Sequence, residues 1–115
     1  MEIMEMKKYP VTYKGKEYEV RWELYLGTIL TIYEVKEIKI FKKLKLKKYI
    51  KKYSTYLHEV QKLVTVSDDD PNYHIQEVKT LFDMWKLELQ IEEYENKTER
   101  IQKKALEEWD GVING

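Results

Sequence analysis

The strongest constraint on the fold is an alternation of apolar and charged residues on both sides of the pair Lys14-Gly15. Apolar residues occupy every second position on both sides of this pair: Tyr9, Val11 and Tyr13, then Tyr18, Val20, Trp22 and Leu24. A period of two indicates strands with one buried face. Glycine supplies the positive φ of a tight hairpin turn. With Lys14-Gly15 as a two-residue turn, Val11 faces Tyr18 and Tyr9 faces Val20. Because all apolar side chains then share one face, the sequence predicts an antiparallel hairpin.

The next segment predicts further strands. Pro10 has no N–H group, which places the first strand at an edge of the sheet. Gly27 marks a second turn, and residues 28–35 are β-branched or aromatic and apolar on both sides, which is typical of a central strand. Ile38 and Ile40 alternate with lysines and either continue this strand or form a fourth one.

The period then changes from two to that of a helix. The apolar residues step by three and four along one face, and they are Ile50, Tyr53, Leu57, Val60 and Val64. This spacing predicts a helix at about residues 46–65. The sequence Asp68-Asp69-Asp70-Pro71 follows, and an acidic N-cap with proline in the first turn is typical of a helix start.

Residues 72–109 contain no glycine and no proline, which predicts one long helix. Its narrower apolar line has heptad-like spacing and runs through Met84, Leu87, Ile91, Tyr94, Thr98, Ile101 and Ala105. A helix of about 37 residues would be roughly 55 Å long, whereas the preceding helix would cover about 30 Å. The remainder therefore bends back near residues 95–97, extends into solvent or pairs with a second chain. The heptad-like spacing favours pairing.

No enzyme signature is present. The chain has no cysteine, and its two histidines, His58 and His74, lack the spacing of a zinc site. Three contiguous aspartates at 68–70 do not match the alternating ligands of a calcium loop. Four glycines leave no phosphate-binding loop, and no activating cluster accompanies the tyrosines. We therefore expect no catalytic residue, no metal site and no cofactor.

Charge is sorted along the chain although the net charge is zero. Residues 1–67 hold 15 Lys/Arg and 8 Asp/Glu, whereas residues 68–115 hold 6 and 13. The basic half centres on a lysine run with interleaved aromatics, and the candidate binding residues are Lys42, Lys43, Lys45, Lys47, Lys48, Tyr49, Lys51 and Lys52. This run is a solvated or self-neutralised face, a phosphate-binding surface or a surface for an acidic protein. The scarcity of arginine argues against base-specific recognition.

Residues 11–23, Val-Thr-Tyr-Lys-Gly-Lys-Glu-Tyr-Glu-Val-Arg-Trp-Glu, together with Ile32-Tyr33-Glu34-Val35, resemble small uncharacterised proteins of Gram-positive phages and mobile elements. The resemblance covers about a quarter of the chain and carries no functional residue. It implies a setting in which small proteins inhibit or regulate host machinery.

We therefore expect a single α+β domain over residues 1–115. An antiparallel sheet of three or four strands at 8–46 would precede a helical hairpin at 46–110 with a long second helix. The predicted function is a non-enzymatic protein-binding module, a phage-type regulator or inhibitor of a host nucleoprotein machinery. The alternative is a nucleic-acid-binding protein that uses residues 42–52 on a DNA or RNA backbone.

The expected partners are a host protein or protein–nucleic-acid complex and, through residues 91–109, a second copy of the chain. The N-terminus contains acids and no apolar run, and no stretch approaches 18 apolar residues. We therefore expect a cytoplasmic protein without membrane association.

Overall fold

A computed structural model describes residues 4–41 and 44–114 of the chain, and it has an α+β architecture. The strands are β1 (Met4–Tyr13), β2 (Lys16–Leu24), β3 (Thr28–Phe41) and β4 (Leu44–Tyr56), and the helices are α1 (Leu57–Gln61) and α2 (Tyr73–Glu108). The strands form one antiparallel sheet in the order β1-β2-β3-β4. The chain divides into two compact units, of which the first ends at Leu81 and the second begins at Phe82.

The first hairpin has the predicted register. Tyr13 pairs with Lys16, Val11 with Tyr18 and Tyr9 with Val20. Lys14 and Gly15 both have positive φ, 51° and 76°, as a type I′ turn requires. Strand β1 is at the edge of the sheet, as Pro10 predicts.

Strand β3 is central, as predicted, and is longer than its neighbour β2. It follows a turn in which Gly27 has a φ of 124°. Its pairing with β2 ends where Tyr18 lies opposite Glu34, but its pairing with β4 continues to Phe41 opposite Leu44. The residues at Ile38 and Ile40 therefore continue β3, and the fourth strand begins after them.

The helix predicted at 46–65 is wrong, because residues 44–56 form β4 and only Leu57–Gln61 is helical. The error has a local cause. The pairing of β3 with β4 shifts by one residue between Ile32, opposite Tyr53, and Tyr33, opposite Lys51, so that Lys52 is the extra residue of a β-bulge. Because of this bulge, Ile50 and Tyr53 lie on the same face although they are three residues apart. A spacing of three residues between apolar side chains, which indicates a helix in the sequence, therefore occurs here inside a strand.

The apolar core of the first unit is built on one face of the sheet. Val20 and Trp22 of β2 lie opposite Ile32 and Leu30 of β3, and all four are buried. Val60 of α1 and Leu81 of α2 are fully buried as well, and α1 contacts β3 and β4. Burial of large apolar side chains is the main stabilising contribution to such a sheet.

Helix α2 is 36 residues long, so it does not bend back near residues 95–97, one of the alternatives that the sequence left open. Just before it, Asp70 accepts a hydrogen bond from the backbone N–H of Asn72 at 2.8 Å. The predicted helical hairpin is not confirmed, since its first arm is mostly strand. No helix within residues 4–41 and 44–114 is long and apolar enough to cross a membrane.

Candidate binding surface on the β3–β4 ribbon

The ends of β3 and β4 form a two-stranded ribbon beyond the last residue of β3 that pairs with β2. This ribbon, residues 35–41 and 44–49, is called the basic ribbon below. At about 3.3 Å per residue its strands are roughly 20 Å long. Almost every described residue in it is exposed, with Val35 half-buried at its base. Its side chains are thus available to a partner on both faces.

The two faces of the basic ribbon differ in chemistry. Residues directly opposite each other share a face, so one face carries Ile38 opposite Leu46 and Lys36 opposite Lys48. Ile38 and Leu46 remain 43% and 48% exposed and, lying opposite each other, form a contiguous exposed aliphatic pair. This face is the apolar face of the ribbon, and it continues the core face of the sheet.

The opposite face, called the basic face below, carries lysines from both strands. It carries Lys39 opposite Lys45 and Glu37 opposite Lys47, with Lys51 further along β4. One ion pair offsets this charge, between Lys45 Nζ and Glu37 Oε1 at 3.8 Å, and both side chains are more than half exposed. An exposed pair at this distance contributes little to stability. The face therefore keeps an excess of positive charge.

Lysines lie directly opposite each other at two levels of the ribbon, Lys36 with Lys48 and Lys39 with Lys45. Like charges in this arrangement destabilise a strand pair. A bound carboxylate or phosphate would relieve the repulsion. The lysine run in the sequence points to only one of the two strands, so Lys36 and Lys39 on the partner strand were missed by sequence reasoning.

The base of the ribbon is anchored to the sheet by a buried carboxylate. Lys52 Nζ lies 3.1 Å from Glu34 Oε2, and the Glu34 residue is 8% exposed. The hydrogen bond from Lys52, together with its charge and those of Lys36 and Lys16, lowers the pKa of Glu34 against the opposing effect of burial. Lys52 is thus paired with Glu34 at the bulge, with its side chain still 35% exposed.

A stacked arginine, Arg21, contacts the base of the ribbon on the face of the sheet opposite the core. The guanidinium carbon of Arg21 lies 4.3 Å from the ring centre of Tyr33 and 4.6 Å from that of Tyr49. Its Nε donates to Glu19 Oε2 at 2.6 Å. Burial disfavours the charged guanidinium, but the hydrogen bond and charge of Glu19 and the charge of Glu5 outweigh it and raise the pKa of Arg21. Arg21 therefore connects β2, β3 and β4 through charge and stacking.

The structure divides the sequence-predicted site residues into three groups. Lys42 and Lys43 lie outside the described residues. Lys45, Lys47 and Lys51 share the basic face, and Lys48 lies on the apolar face. Lys52 and Tyr49 are engaged by Glu34 and Arg21, although Tyr49 is still 40% exposed. A site assigned to a helix is thus a strand with two distinct faces.

A cleft, which sequence reasoning missed, is a separate candidate surface. It lies between β1 and the first turns of α2 and has a volume of about 580 Å³. Trp22 and Val11 provide apolar lining, and Lys7 lies over the Trp22 ring, 4.5 Å from its centre. His74, at the rim, has its Nδ1 2.5 Å from a carboxylate oxygen of the buried Glu77. No sequence signal marks the cleft, because its residues come from three separate elements.

Comparison of the chain with protein-family models, with curated proteins and with solved structures finds no match.

Proposed function

We propose that this protein is a non-enzymatic binding module that uses the basic ribbon to contact an acidic surface of a partner protein. The observation that carries the proposal is the pair of exposed aliphatic side chains, Ile38 and Leu46, on a ribbon that also carries five lysines. Protein interfaces combine an apolar centre with a charged rim. Phosphate groups offer no apolar surface for the aliphatic pair. A protein partner with an acidic surface therefore explains both the aliphatic pair and the lysines of the ribbon.

The proposed role is that of a regulator or inhibitor. A protein with no catalytic residues acts by occupying a surface that its partner needs. The resemblance to proteins of phages and mobile elements implies only a setting of small inhibitors or regulators of host machinery. Within that setting, the proposed partner belongs to a host nucleoprotein machinery, and a basic ribbon fits an acidic patch on such an assembly.

A second candidate function is binding to a DNA or RNA backbone through the lysine run 42–52. It is favoured by the two directly opposed lysine pairs, which a phosphate would bridge. A two-stranded ribbon has dimensions that suit the major groove of DNA. In this case the aliphatic pair would contribute little, and affinity would fall steeply with salt.

The test compares variants of each face with a matched control. Ile38→Ser/Leu46→Ser changes the apolar face, and Lys39→Glu/Lys45→Glu reverses the basic face. The control Lys14→Glu/Lys16→Glu makes the same charge change at the β1–β2 turn. Each variant is used as bait in a lysate of a Gram-positive bacterium, with and without nuclease.

We expect a protein that survives nuclease treatment, is captured by the wild type and the control, and is lost with both ribbon variants. Capture that is unchanged in both ribbon variants would overturn the proposal. Anisotropy titration of labelled DNA and RNA at about 50 and about 200 mM salt tests the second candidate. Tight binding that falls by orders of magnitude, and that survives Ile38→Ser/Leu46→Ser, would replace the first candidate by the second.

A further inference from the structure

The second compact unit presents an exposed apolar line along helix α2. Five residues of α2, Leu87, Ile91, Tyr94, Thr98 and Ile101, are spaced by four and three and are called the apolar stripe below. Its large side chains are between 49% and 71% exposed. From Lys86 to Asn114 every residue is exposed except the half-buried Thr98. Because a single helix in water is marginally stable, such a stripe favours a covering partner.

Charge along this part of the helix is sorted into two blocks. Residues 83–95 contain five acidic residues and one lysine. Residues 97–104 contain four basic residues and one glutamate. The change of sign falls at the middle of the apolar stripe, between Glu95 and Lys97. A partner helix therefore needs positive charge beside the first block and negative charge beside the second.

We propose that the apolar stripe is covered by the same segment of a second copy of this chain, running antiparallel. An antiparallel copy places its basic block beside the acidic block of the first chain, and the reverse holds at the other end. A parallel copy would place the two acidic blocks beside each other and the two basic blocks beside each other. This inference is independent of the basic ribbon.

The heptad spacing gives the antiparallel pairing a register. Positions a and d of one helix face d and a of the other, so Ile91 lies opposite the partner's Tyr94 and Leu87 opposite the partner's Thr98. At the flanks Asp83 lies beside the partner's Lys104, whereas Glu88 lies beside the partner's Glu95 with like charge. By symmetry each of these pairs occurs twice in the dimer. In a parallel dimer the flanking pair would instead be Asp83 with the partner's Glu88.

Orientation is measured by disulfide formation, since the natural chain has no cysteine. Full-length Leu87→Cys and Thr98→Cys, one of them carrying a mass tag, are mixed and oxidised. Both positions accept substitution because neither is in the core. A disulfide needs Cα atoms within about 7 Å, and the two positions are roughly 16 Å apart along the helix. An antiparallel dimer gives the mixed disulfide, and disulfides between chains of the same variant would overturn the proposal.

A series of charge-reversal variants measures how much the pair of Asp83 and the partner's Lys104 contributes to the dissociation constant of the dimer. Sedimentation equilibrium at micromolar concentrations should show a reversible dimer. Lys104→Glu should raise the dissociation constant by about tenfold, since two symmetric pairs become repulsive. Adding Asp83→Lys should restore it, whereas Lys103→Glu, the same change on the outer face of the helix, should leave it unchanged. A monomer at every concentration, or failure of Asp83→Lys to rescue Lys104→Glu, would overturn the proposal.

Discussion

Replacement of Arg21 by methionine should destabilise the sheet, because Arg21 connects three strands. Methionine keeps an apolar stem but removes the guanidinium that stacks on Tyr33 and Tyr49 and donates to Glu19. Each stack contributes about 0.5–1 kcal/mol at a partly exposed site. The ion pair, at 2.6 Å with an Arg21 side chain 20% exposed, adds about 0.5–1 kcal/mol after solvent screening. The expected loss of unfolding free energy is therefore about 2 kcal/mol.

The assay is urea denaturation followed by tryptophan fluorescence, which reports on the buried Trp22. The midpoint should fall by about 1 M urea with an unchanged slope, and the melting temperature should fall by roughly 8 °C. Arg21→Lys, which keeps the charge but loses the planar stack, should lose about half as much. The control is Arg100→Met, because Arg100 is the only other arginine of the sequence and its guanidinium makes an exposed 3.4 Å contact with the backbone oxygen of Asn96. If Arg21→Met and Arg100→Met are equally stable, the stacking argument is refuted.

Three further changes test other parts of the first unit. Gly15→Ala should lower stability by about 1 kcal/mol in urea denaturation, because Gly15 has a φ of 76° although space is open around it. The pKa of Glu34 is lower in the folded protein than in free glutamate, so the ionised carboxylate stabilises the fold at pH values above the ordinary pKa of glutamate. This stabilisation is lost as the pH falls through the pKa of Glu34 in the folded protein. Glu34→Gln should therefore lose less stability on acidification than the wild type. Thr31→Val should raise the melting temperature by a few degrees, because Thr31 Oγ1 is buried with no hydrogen-bond partner among the residues that the structure describes.

Each of these changes has a matched control. Gly111→Ala alters a glycine with the same φ of 76° beyond the end of α2, so it should leave the unfolding of the sheet unchanged. Glu37→Gln removes the exposed partner of Lys45 and should affect stability little at neutral or acidic pH. Thr12→Val replaces an exposed threonine of β1 and should give no comparable gain. Equal effects in a variant and its control would contradict the corresponding argument.

The elements whose conformation is determined by residues close in the sequence could be predicted from the sequence. The first hairpin follows from its turn and its alternation, and both act within about 15 residues of chain. The long helix α2 follows from the absence of helix-breaking residues. Strand β4 could not be predicted in the same way, because the bulge at Lys52 gives Ile50 and Tyr53 a helical spacing. Pairing with β3 decided between helix and strand, and such long-range pairing overrides local periodicity.

The candidate site could be predicted only in part, because part of it also depends on long-range strand pairing. A run of lysines is visible in the sequence, but the register that places Lys36 opposite Lys48 and Lys39 opposite Lys45 is a property of the hairpin. The separation of an apolar face from a basic face also depends on strand alternation, which a helix assignment conceals. The stacking of Arg21 on two tyrosines from different strands leaves no local signal at all.

The bulge at Lys52 also sets how this chain tolerates insertions and deletions. Residues of β4 before the bulge are displaced by one position relative to those after it, so a single residue determines which of their side chains continue the core face. Deletion of Lys52 would remove the bulge and leave Leu46 on the core face, because Lys51 already lies opposite Tyr33 and Tyr53 lies opposite the adjacent Ile32. Deletion of Ile50 would instead turn Leu46 toward the side now occupied by Lys45 and Lys47. Among natural variants of this chain, length should therefore be conserved between Leu44 and Lys51 even where the residues themselves change, whereas Lys52 is a position at which one residue can be lost without inverting the strand.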